Sequence, residues 1–578
     1  MLFDQSVLVQ TLQAYLPFLS YLPAQVQHHV RSMHLDLTPV FDSTSHEAEA
    51  LNIRLSLEAP CISANSTLVE LQLSYGNVPS QRYDGESLEA LDDNGRLDLT
   101  IWDDERQSIR RWLPQRETEG DVVLAMRALP RHVDINTPIG PRSDLRKQHG
   151  GLLGAGMLML PSPPTPDEVY DITVTWNSTG APPETQIASS LGEGVITKVR
   201  STLQAIQLSV FAVGPLRRFP ADISESPDFA ILYFDPDPPF DIPDLASFIQ
   251  ALFANMSAFF RNKVQQPYRI FLRSSPRAVG GAGFLDSFML EYHHDQTVTQ
   301  TETKELLTHE VVHNWPLMEC TAGHRAVVGA DCGWYSEGIA TYYQSHLPYR
   351  FNLTNRPEFV RSLNGLAQAY YTNPTIGYDN EEASAKAWQD PEAQRLPYHR
   401  GMMYLTSIDS QIREASQGRK GVDDTVFELL ERRRAGQRYD LRTWLDLVEV
   451  ELGASAVDDY ERMANGTLVV PSRECLAQYG LELVRHDQER FELGFDPTIS
   501  FNTRRISGLV AGSRAAAAGI ADGDELVGPH TLLWQAADDI ERNMTMTLQR
   551  DATRYEVTFW PRSQKEVESW QWQSVDRA

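Results

Sequence analysis

Two histidines and a glutamate stand close together in the run Lys304-Glu-Leu-Leu-Thr-His309-Glu310-Val-Val-His313. His309 and His313 are four residues apart, about one helical turn, so on a helix both imidazoles face the same side and can share one metal ion. This His-Glu-x-x-His spacing is typical of zinc sites, with the glutamate as general base. Because a catalytic zinc usually keeps three protein ligands and one water, the pattern predicts a third ligand elsewhere.

The best candidate for that ligand is Glu337, in the run Gly333-Trp-Tyr-Ser-Glu337-Gly. We predict a helix entered through Ser336 or Gly333, with Glu337 in its first turn and within reach of a metal on the preceding helix. Glu319 is the competing ligand. It follows a proline at the exit of the first helix, where a side chain is held less rigidly, so we favour Glu337.

The residues around the histidines predict a helix. Glu302, Lys304 and Glu305 place acid in its first turn, and Pro316, which lacks an N–H, predicts that the helix stops just after His313. The alternative is a surface helix with two stray histidines. The second motif, with Glu337, argues against that alternative because it supplies the missing ligand.

These two motifs, His-Glu-x-x-His and Trp-x-x-Glu-Gly-x-x-x-Tyr, resemble those of the gluzincin metallopeptidases, in particular the glycyl aminopeptidase family, whose members also bear a PDZ-like domain. The resemblance implies a zinc peptidase of the aminopeptidase type, with one Zn²⁺ per chain bound by His309, His313 and Glu337. It implies a peptide or protein as the substrate and Glu310 as the base that activates water.

The segment Tyr398-His-Arg400-Gly401 resembles the Tyr-x-Lys/Arg-Gly motif of related aminopeptidases. There the tyrosine stabilises the oxyanion of the tetrahedral intermediate, so the resemblance implies a catalytic Tyr398. The dipeptide Leu396-Pro397 predicts a helix start, with Tyr398 at the helix N-terminus facing the cleft. A tyrosine that is merely packed in the core is the alternative.

The run Gly280-Gly281-Ala282-Gly283 resembles the glycine-rich substrate strand that precedes the zinc helix in the family. We predict that these four residues bind substrate and that Phe284–Tyr292 forms the next strand, to which a peptide adds if that strand is a sheet edge beside the zinc. A flexible loop is the alternative. The family usually has a glutamate, which holds the substrate amine, where Gly283 stands.

The missing glutamate leaves three functional hypotheses open. The first is a zinc aminopeptidase of the glycyl type. The second is a zinc peptidase that does not need a free amino terminus. The third is an inactive, peptidase-like protein in which the PDZ-like domain binds partners, and the intact zinc motifs argue against it.

The 578 residues are too many for one hydrophobic core. We predict a multidomain α+β protein with an N-terminal β-sandwich or saddle, a thermolysin-like α+β zinc peptidase domain, a helical segment and a C-terminal PDZ-like β domain. The predicted boundaries are 1–220 for the N-terminal domain, 221–355 for the zinc domain, 356–468 for the helical part of the catalytic region, 469–563 for the PDZ-like domain and 564–578 for a tail.

Hydrophobic periodicity predicts the main elements. Alternating residues predict strands at 34–38, 51–57, 68–73, 121–126 and 170–176, and apolar runs predict strands at 229–234 and 268–273. Spacings of three and four predict helices at 241–260, 357–371, 398–415, 424–435 and 440–452.

The segment Arg505 to Val527 resembles the core of a PDZ domain: a strand, an alanine-rich helix, and a turn at Gly523-Asp524 into the next strand. Such domains bind C-terminal peptides, so the resemblance implies a possible peptide ligand. A structural appendage is the alternative, because the nearest match to the usual carboxylate-binding Gly-Leu-Gly-Phe loop is Glu492-Leu-Gly-Phe495.

The formal net charge of −27 argues against nucleic acid or an anionic membrane as a partner. No run of residues is apolar enough to span a membrane. The N-terminus does not resemble a signal peptide, which favours the cytoplasm, although six Asn-x-Ser/Thr sequons keep secretion open.

Of the four cysteines, Cys320 and Cys332 are a possible pair, and we predict reduced, buried thiols at Cys61 and Cys475.

Overall fold

A computed structural model of the protein describes residues 10–11, 30–138, 140–165, 168–262, 267–276, 279–294, 298–319, 332–387 and 389–575. These residues form two compact units. The β unit lies within Phe18–Ala246 and Gln265–His293, and the helical unit lies within Met1–Pro17, Ser247–Val264 and His294–Ala578. The predicted zinc domain, 221–355, is divided between the two, because its strands group with the β unit and its helices with the helical unit.

The strands are listed here in chain order. They are β1 (Gln10–Thr11), β2 (Ser32–Phe41), β3 (Ala48–Leu57), β4 (Val69–Gln72), β5 (Ser74–Tyr75), β6 (Val78–Pro79), β7 (Leu88–Asp92), β8 (Gly95–Arg96), β9 (Leu99–Asp104), β10 (Ile109–Pro114), β11 (Val122–Ala128), β12 (Arg146–Gln148), β13 (Gly151–Ala155), β14 (Val169–Trp176), β15 (Gln186–Ser189), β16 (Gly192–Glu193), β17 (Ile196–Thr202), β18 (Val210–Gly214), β19 (Arg217–Phe219), β20 (Phe229–Tyr233), β21 (Tyr268–Ser274), β22 (Gly280–Phe284), β23 (Ser287–Tyr292), β24 (Leu481–Arg485), β25 (Gln488–Phe491), β26 (Glu525–His530), β27 (Met544–Arg550), β28 (Thr553–Phe559), β29 (Arg562–Val567) and β30 (Trp570–Ser574).

The α-helices follow the same order. They are α1 (Leu203–Gln207), α2 (Ile242–Phe259), α3 (Gln300–Val312), α4 (Gly333–Arg350), α5 (Arg356–Tyr371), α6 (Asn380–Lys386), α7 (Pro391–Ala415), α8 (Val422–Arg434), α9 (Leu441–Leu452), α10 (Ser455–Ala464), α11 (Pro497–Thr503), α12 (Arg514–Ala517) and α13 (Leu533–Asp538). None of the helices within the described ranges is both long and apolar enough to cross a membrane.

The β unit contains a seven-stranded sheet in the order β17-β14-β2-β3-β11-β7-β8 and a five-stranded sheet in the order β12-β13-β18-β15-β16. Along β2, Met33, Leu35 and Leu37 are buried at every second position, as a strand with one face on a core requires. The same core receives Trp112 of β10 and Phe211 of β18. The strands predicted from alternating residues are therefore confirmed.

The glycine run lies in the β unit and differs from the prediction. Gly280–Phe284 is strand β22, and it pairs antiparallel with β23. The predicted single strand Phe284–Tyr292 is wrong because the chain turns at Asp286, whose φ is 43°. Since β23 also pairs with β21 on its other side, it is not a sheet edge, and the flexible-loop alternative is wrong as well.

A packing reason accounts for one of these glycines. A Cβ atom on Gly281 would lie 1.8 Å from the ring of Phe288 on β23, so only glycine leaves room for that ring. The small residue at this position is thus required by the hairpin itself, whatever binds nearby.

The helical unit contains the predicted helices as α5, α8 and α9, each within two residues of the predicted start. Its C-terminal part, from β24 onward, has a separate core of apolar side chains. The predicted helix after Arg505 is confirmed as α12, but the predicted strand before it consists of a single bridge between Arg505 and Glu525.

The residues assigned to a tail are not a separate segment. Strand β29 pairs with β25 and strand β30 pairs with β24, so both belong to the C-terminal part of the helical unit. Leu483 on β24 lies opposite Trp572, which is buried. Alternation of polar residues with tryptophans at 570 and 572 is the pattern that indicates these strands.

The cysteines are only partly as predicted. Cys475 is a buried free thiol, whereas Cys61 is free but exposed, so the prediction of burial is wrong there. Cys61 has a φ of 54° in a loop after β3, where no core is available to cover it. Cys332 is disulfide-bonded, and Cys320 lies outside the described residues.

Candidate active site

Helix α3 begins with a capping box that fixes its register. The Thr299 hydroxyl accepts a hydrogen bond from the Glu302 backbone N–H, and the Glu302 carboxylate accepts one from the Thr299 N–H. The helix ends at Val312 with His313 as its cap, as Pro316 predicted. His309 therefore lies in the last turn and His313 directly after it.

The two histidines face one another at the end of α3. Their ring centroids are 4.8 Å apart, and both side chains are buried. Glu337 reaches them from α4: its Oε2 lies 3.2 Å from His309 Nε2 and 3.5 Å from His313 Nε2. Ligand atoms on a tetrahedral zinc, about 2.0–2.1 Å from the metal, are roughly 3.3 Å from one another. Both distances from the Glu337 oxygen therefore fit ligands that share one zinc ion.

The prediction that Glu337 lies in the first turn of α4 is wrong. The helix begins at Gly333, so Glu337 is its fifth residue. Although burial raises its pKa, the neighbouring imidazoles of His313 and His309 lower the pKa of Glu337 to about 2. At neutral pH the Glu337 carboxyl is therefore ionised, the form in which a carboxylate can bind a metal.

Glu310 is the second carboxylate of the cluster. Its Oε1 lies 3.9 Å from His309 Nε2, and neither of its buried oxygens has a hydrogen-bond partner among the described residues. Burial and the charge of Glu337 raise the pKa of Glu310 well above its usual value. Buried, unpartnered carboxylate oxygens indicate a site completed by a bound group, and a raised pKa suits a proton acceptor.

The surroundings of Glu310 and Glu337 shift the pKa values of these two carboxyl groups in different ways. Glu310, with His309 and His313, forms a group of potential metal donors, yet Glu337 is nearer to both imidazoles. Their pKa values are shifted in opposite directions, a pattern that separates a permanently charged group from a proton-transfer group.

Glu319, the competing ligand, is exposed, and its backbone N–H donates a hydrogen bond to the Tyr439 carbonyl.

Tyr398 completes the cluster from α7. Its ring stacks on His309 with centroids 5.5 Å apart and an interplanar angle of 19°. Burial, with the charges of Glu337 and Glu310, raises the pKa of Tyr398 well above its usual value, and its hydroxyl is hydrogen-bonded to Glu337. The hydroxyl therefore keeps its proton and can donate it in a hydrogen bond.

The predicted helix start at Pro397 is wrong. Helix α7 begins at Pro391, where the Asp390 side chain accepts hydrogen bonds from two backbone N–H groups, and Pro397 lies inside the helix. An aspartate before a proline is a strong start signal, and it decides the boundary here. Tyr398 is consequently held in the body of a 25-residue helix rather than at its end.

A residue that the sequence analysis missed orients His309. The Nδ1 atom of His309 is 3.2 Å from Oε1 of Gln344 on α4. Donation from Nδ1 to this amide oxygen leaves Nε2 free to bind a metal. Gln344 is seven residues after Glu337, two helical turns along the same face, so this spacing was the available signal.

Two glycines bring Glu337 and Tyr398 together. A Cβ atom on Gly401 would lie 1.9 Å from the carbonyl oxygen of Trp334, and one on Gly338 would lie 2.5 Å from the Cα of Gly401. Helices α4 and α7 therefore touch backbone to backbone at these glycines.

Arg400, the arginine of the Tyr398–Gly401 motif, has another role. Its guanidinium donates hydrogen bonds to Asn380 and to the Ile376 carbonyl.

The described structure therefore brings His309, Glu310, His313, Glu337 and Tyr398 into one cluster within the helical unit. Gly280, Gly281, Ala282 and Gly283 lie in the β unit, and their role in substrate binding stays a prediction.

Comparison with known proteins agrees with this geometry. The sequence profile of the M61 glycyl aminopeptidase family matches residues 302–404, which contain all five residues of the cluster. No curated protein sequence matches the chain.

Solved structures resemble the chain to different degrees, and the first of the three named here shares its fold. An aminopeptidase N family protein from Idiomarina loihiensis has a TM-score of 0.62 at 13% identity, over 94% of this chain and 98% of that chain. A variant M1 zinc metallopeptidase from Deinococcus radiodurans, bound to a Tyr-Ser-Ala substrate, has a TM-score of 0.46 at 18% identity, over 80% and 99% of the chains. Yeast LTA4 hydrolase has a TM-score of 0.46 at 14% identity, over 80% and 69%.

Proposed function

We propose that this zinc metallopeptidase of the aminopeptidase type, whose residues 302–404 match the M61 glycyl aminopeptidase family, hydrolyses peptide bonds at the site on α3, α4 and α7. One observation carries the proposal: Oε2 of Glu337 lies within 3.5 Å of Nε2 of both histidines. Three donor atoms from two helices converge there, next to the buried carboxylate of Glu310, whose oxygens have no hydrogen-bond partner in the described part of the chain.

His309, His313 and Glu337 would hold the zinc. Zinc in such a site polarises a carbonyl oxygen and lowers the pKa of a bound water towards neutrality. Gln344 keeps His309 in the tautomer that binds metal, since its amide oxygen accepts from Nδ1.

Glu310 is the proposed general base. Its raised pKa means that it can hold a proton once it has taken one from water, and the same group can then deliver that proton to the leaving amine. Because no described residue hydrogen-bonds to its oxygens, both can accept hydrogen bonds from water or substrate.

Tyr398 is the proposed oxyanion donor. Its hydroxyl remains protonated at neutral pH, and its ring is fixed against His309. A donor fixed at the place where charge develops stabilises the transition state more than the ground state. Tyr398 is therefore expected to affect kcat more than KM.

The test combines metal analysis with a substitution. We expect one zinc per chain, and hydrolysis of alanyl and glycyl p-nitroanilides that 1,10-phenanthroline abolishes and added zinc restores. Glu310→Gln should keep its zinc while kcat falls about 10²–10⁴-fold, the usual contribution of a general base.

The matched control is Glu319→Gln, an exposed glutamate outside the cluster, which should behave as wild type. Near-normal turnover in Glu310→Gln would remove the base from this scheme. A protein without bound metal, or one insensitive to the chelator, would refute the proposed function as a whole.

Requirement for a free amino terminus is a separate question. Gly283 stands where the related family has an amine-binding glutamate, so a peptidase that accepts blocked amino termini is the second candidate. Comparing each p-nitroanilide with its N-acetyl derivative decides between them. Hydrolysis of the free form alone supports an aminopeptidase, and equal rates support the second candidate.

We also propose that residues 469–563 are a PDZ-like region. Helix α12, the turn at Gly523 and strand β26 follow one another in the predicted order, which supports this assignment. A peptide ligand for the region has less support. After Phe495 the chain forms α11, whose backbone bonds are internal, so it offers no strand edge to which a peptide could add there.

A further inference from the structure

Helix α13 of the C-terminal part contacts three helices of the site region. Gln535 donates to Glu302 of α3 at 3.0 Å, and Gln368 of α5 donates to the Ala537 carbonyl at 3.2 Å. Asp538, the last residue of α13, forms an ion pair with Arg395 of α7. A six-residue helix thus bonds to the helix that carries His309 and to the one that carries Tyr398.

The contact between α13 and its neighbours is close and well bonded. A Cβ atom on Gly365 of α5 would lie 3.1 Å from the Asp538 carbonyl oxygen, so the two backbones nearly touch. In addition, Arg562 donates to the Ala536 carbonyl at 2.9 Å, which satisfies a carbonyl near the end of α13. Helix α13 is therefore held in place by several bonded neighbours.

The ion pair at its end is largely removed from water. Arg395 is 11% exposed and Asp538 is 29% exposed, and a second carboxylate, that of Glu392, lies 3.8 Å from Arg395. Without the Asp538 carboxylate, the nearly buried Arg395 would keep only Glu392, at 3.8 Å, and would lose its closer partner. Arg395 is consequently held in one position.

Arg395 and Tyr398 are three residues apart on α7, so their side chains lie on the same face of the helix. A displacement of the turn that carries Arg395 would move Tyr398 with it. A misplacement of about 1 Å in a group that acts on the transition state can cost about 10²-fold in rate. The position of the ion pair therefore bears on the tyrosine.

We propose that Asp538 is a positioning residue for peptide hydrolysis: through Arg395 it fixes the turn of α7 that presents Tyr398 to the site. The inference rests on the proposed function. It assigns the C-terminal part a role in the reaction, although that part supplies none of the reacting groups.

The test is a double-mutant cycle on the full chain with alanyl p-nitroanilide. Asp538→Asn should lower kcat about tenfold with KM changed less than twofold and zinc content unchanged. In the Tyr398→Phe background the same substitution should change kcat less than twofold, because the hydroxyl through which Asp538 acts is absent.

A merely structural role would give a different result. If Asp538→Asn lowered kcat equally in both backgrounds, or left kcat unchanged in the wild-type background, the inference would be overturned. Asp446→Asn is the matched control, since Asp446 pairs with Arg442 on the exposed surface of α9 and its loss should leave kcat unchanged.

If Asp538→Asn does not fold, a second variant tests the same inference. Arg395→Lys keeps the charge but loses the planar fork, and should give a smaller fall in kcat, again only when Tyr398 is present. An inactive wild-type enzyme would overturn the proposed function together with this inference. An active enzyme that is indifferent to both substitutions would overturn the inference alone.

Discussion

The contact between Gly338 and Gly401 provides the sharpest test of how the site is assembled. In Gly401→Ala, the new methyl group would lie 1.9 Å from the Trp334 carbonyl oxygen and 2.7 Å from the Cα of Gly338. Real Cβ atoms do not approach other atoms closer than 3.0 Å, so α7 must move away from α4 by at least about 1 Å. Both obstructing atoms belong to backbone and cannot rotate aside.

Two consequences follow from that displacement. Overpacking of this kind typically costs about 1–3 kcal/mol of stability. Tyr398, three residues before Gly401, moves with α7 relative to Glu337 on α4, and a shift of about 1 Å at a reacting group can lower the rate about 10²-fold. We therefore expect kcat to fall about 10²-fold while the zinc, whose ligands are on α3 and α4, stays bound.

The assay is kcat and KM on alanyl p-nitroanilide, with zinc content and thermal unfolding measured on the same samples. Gly377→Ala is the matched control, since a Cβ atom there would meet no atom within 4 Å. A Gly401→Ala enzyme with full zinc, wild-type unfolding temperature and kcat within twofold of wild type would refute the reasoning.

Three further outcomes are expected. Tyr398→Phe should lower kcat about 10²-fold with little change in KM, measured on the same substrate; an unchanged kcat would leave the tyrosine a packing residue. Gln344→Ala should weaken zinc binding about 10–100-fold in a chelator competition, because the histidine that it orients loses its partner, and equal affinity would contradict that role. Asp286→Asn concerns pH: burial raises the pKa of Asp286 to about 6, so its ionisation opposes folding and wild-type stability should fall as pH rises from about 4 to 6. The asparagine variant, which tolerates the same positive φ, should be more stable at pH 7 by less than about 3 kcal/mol and equal below pH 4 in urea unfolding, whereas parallel pH profiles would be evidence against the assignment.

The sequence predicted those parts of the structure that depend on local signals. The spacing of His309 and His313, and the proline after them, were sufficient to predict helix α3 and its end, because helical periodicity and proline chemistry act over a few residues. The alternation in β2 was equally sufficient for a half-buried strand.

The errors arose where distant contacts or competing signals decide. Pro397 predicts a helix start, but the capping side chain of Asp390 sets the start earlier, and the longer helix accommodates Pro397. The strand predicted at 284–292 is interrupted by the turn at Asp286, and the ring of Phe288 explains Gly281 through a pairing that no local pattern reveals. Gln344 was missed because its role depends on a neighbour from another helix.

Helix α4 presents three side chains or contacts in a fixed helical register: the proposed metal ligand Glu337, the helix contact at Gly338 and the histidine partner Gln344. Inserting one residue between Gly338 and Gln344 would rotate everything after it by about 100° and turn the amide away from the imidazole. A change of length within these two turns would therefore disrupt the site, because the phase of the helix is itself part of it.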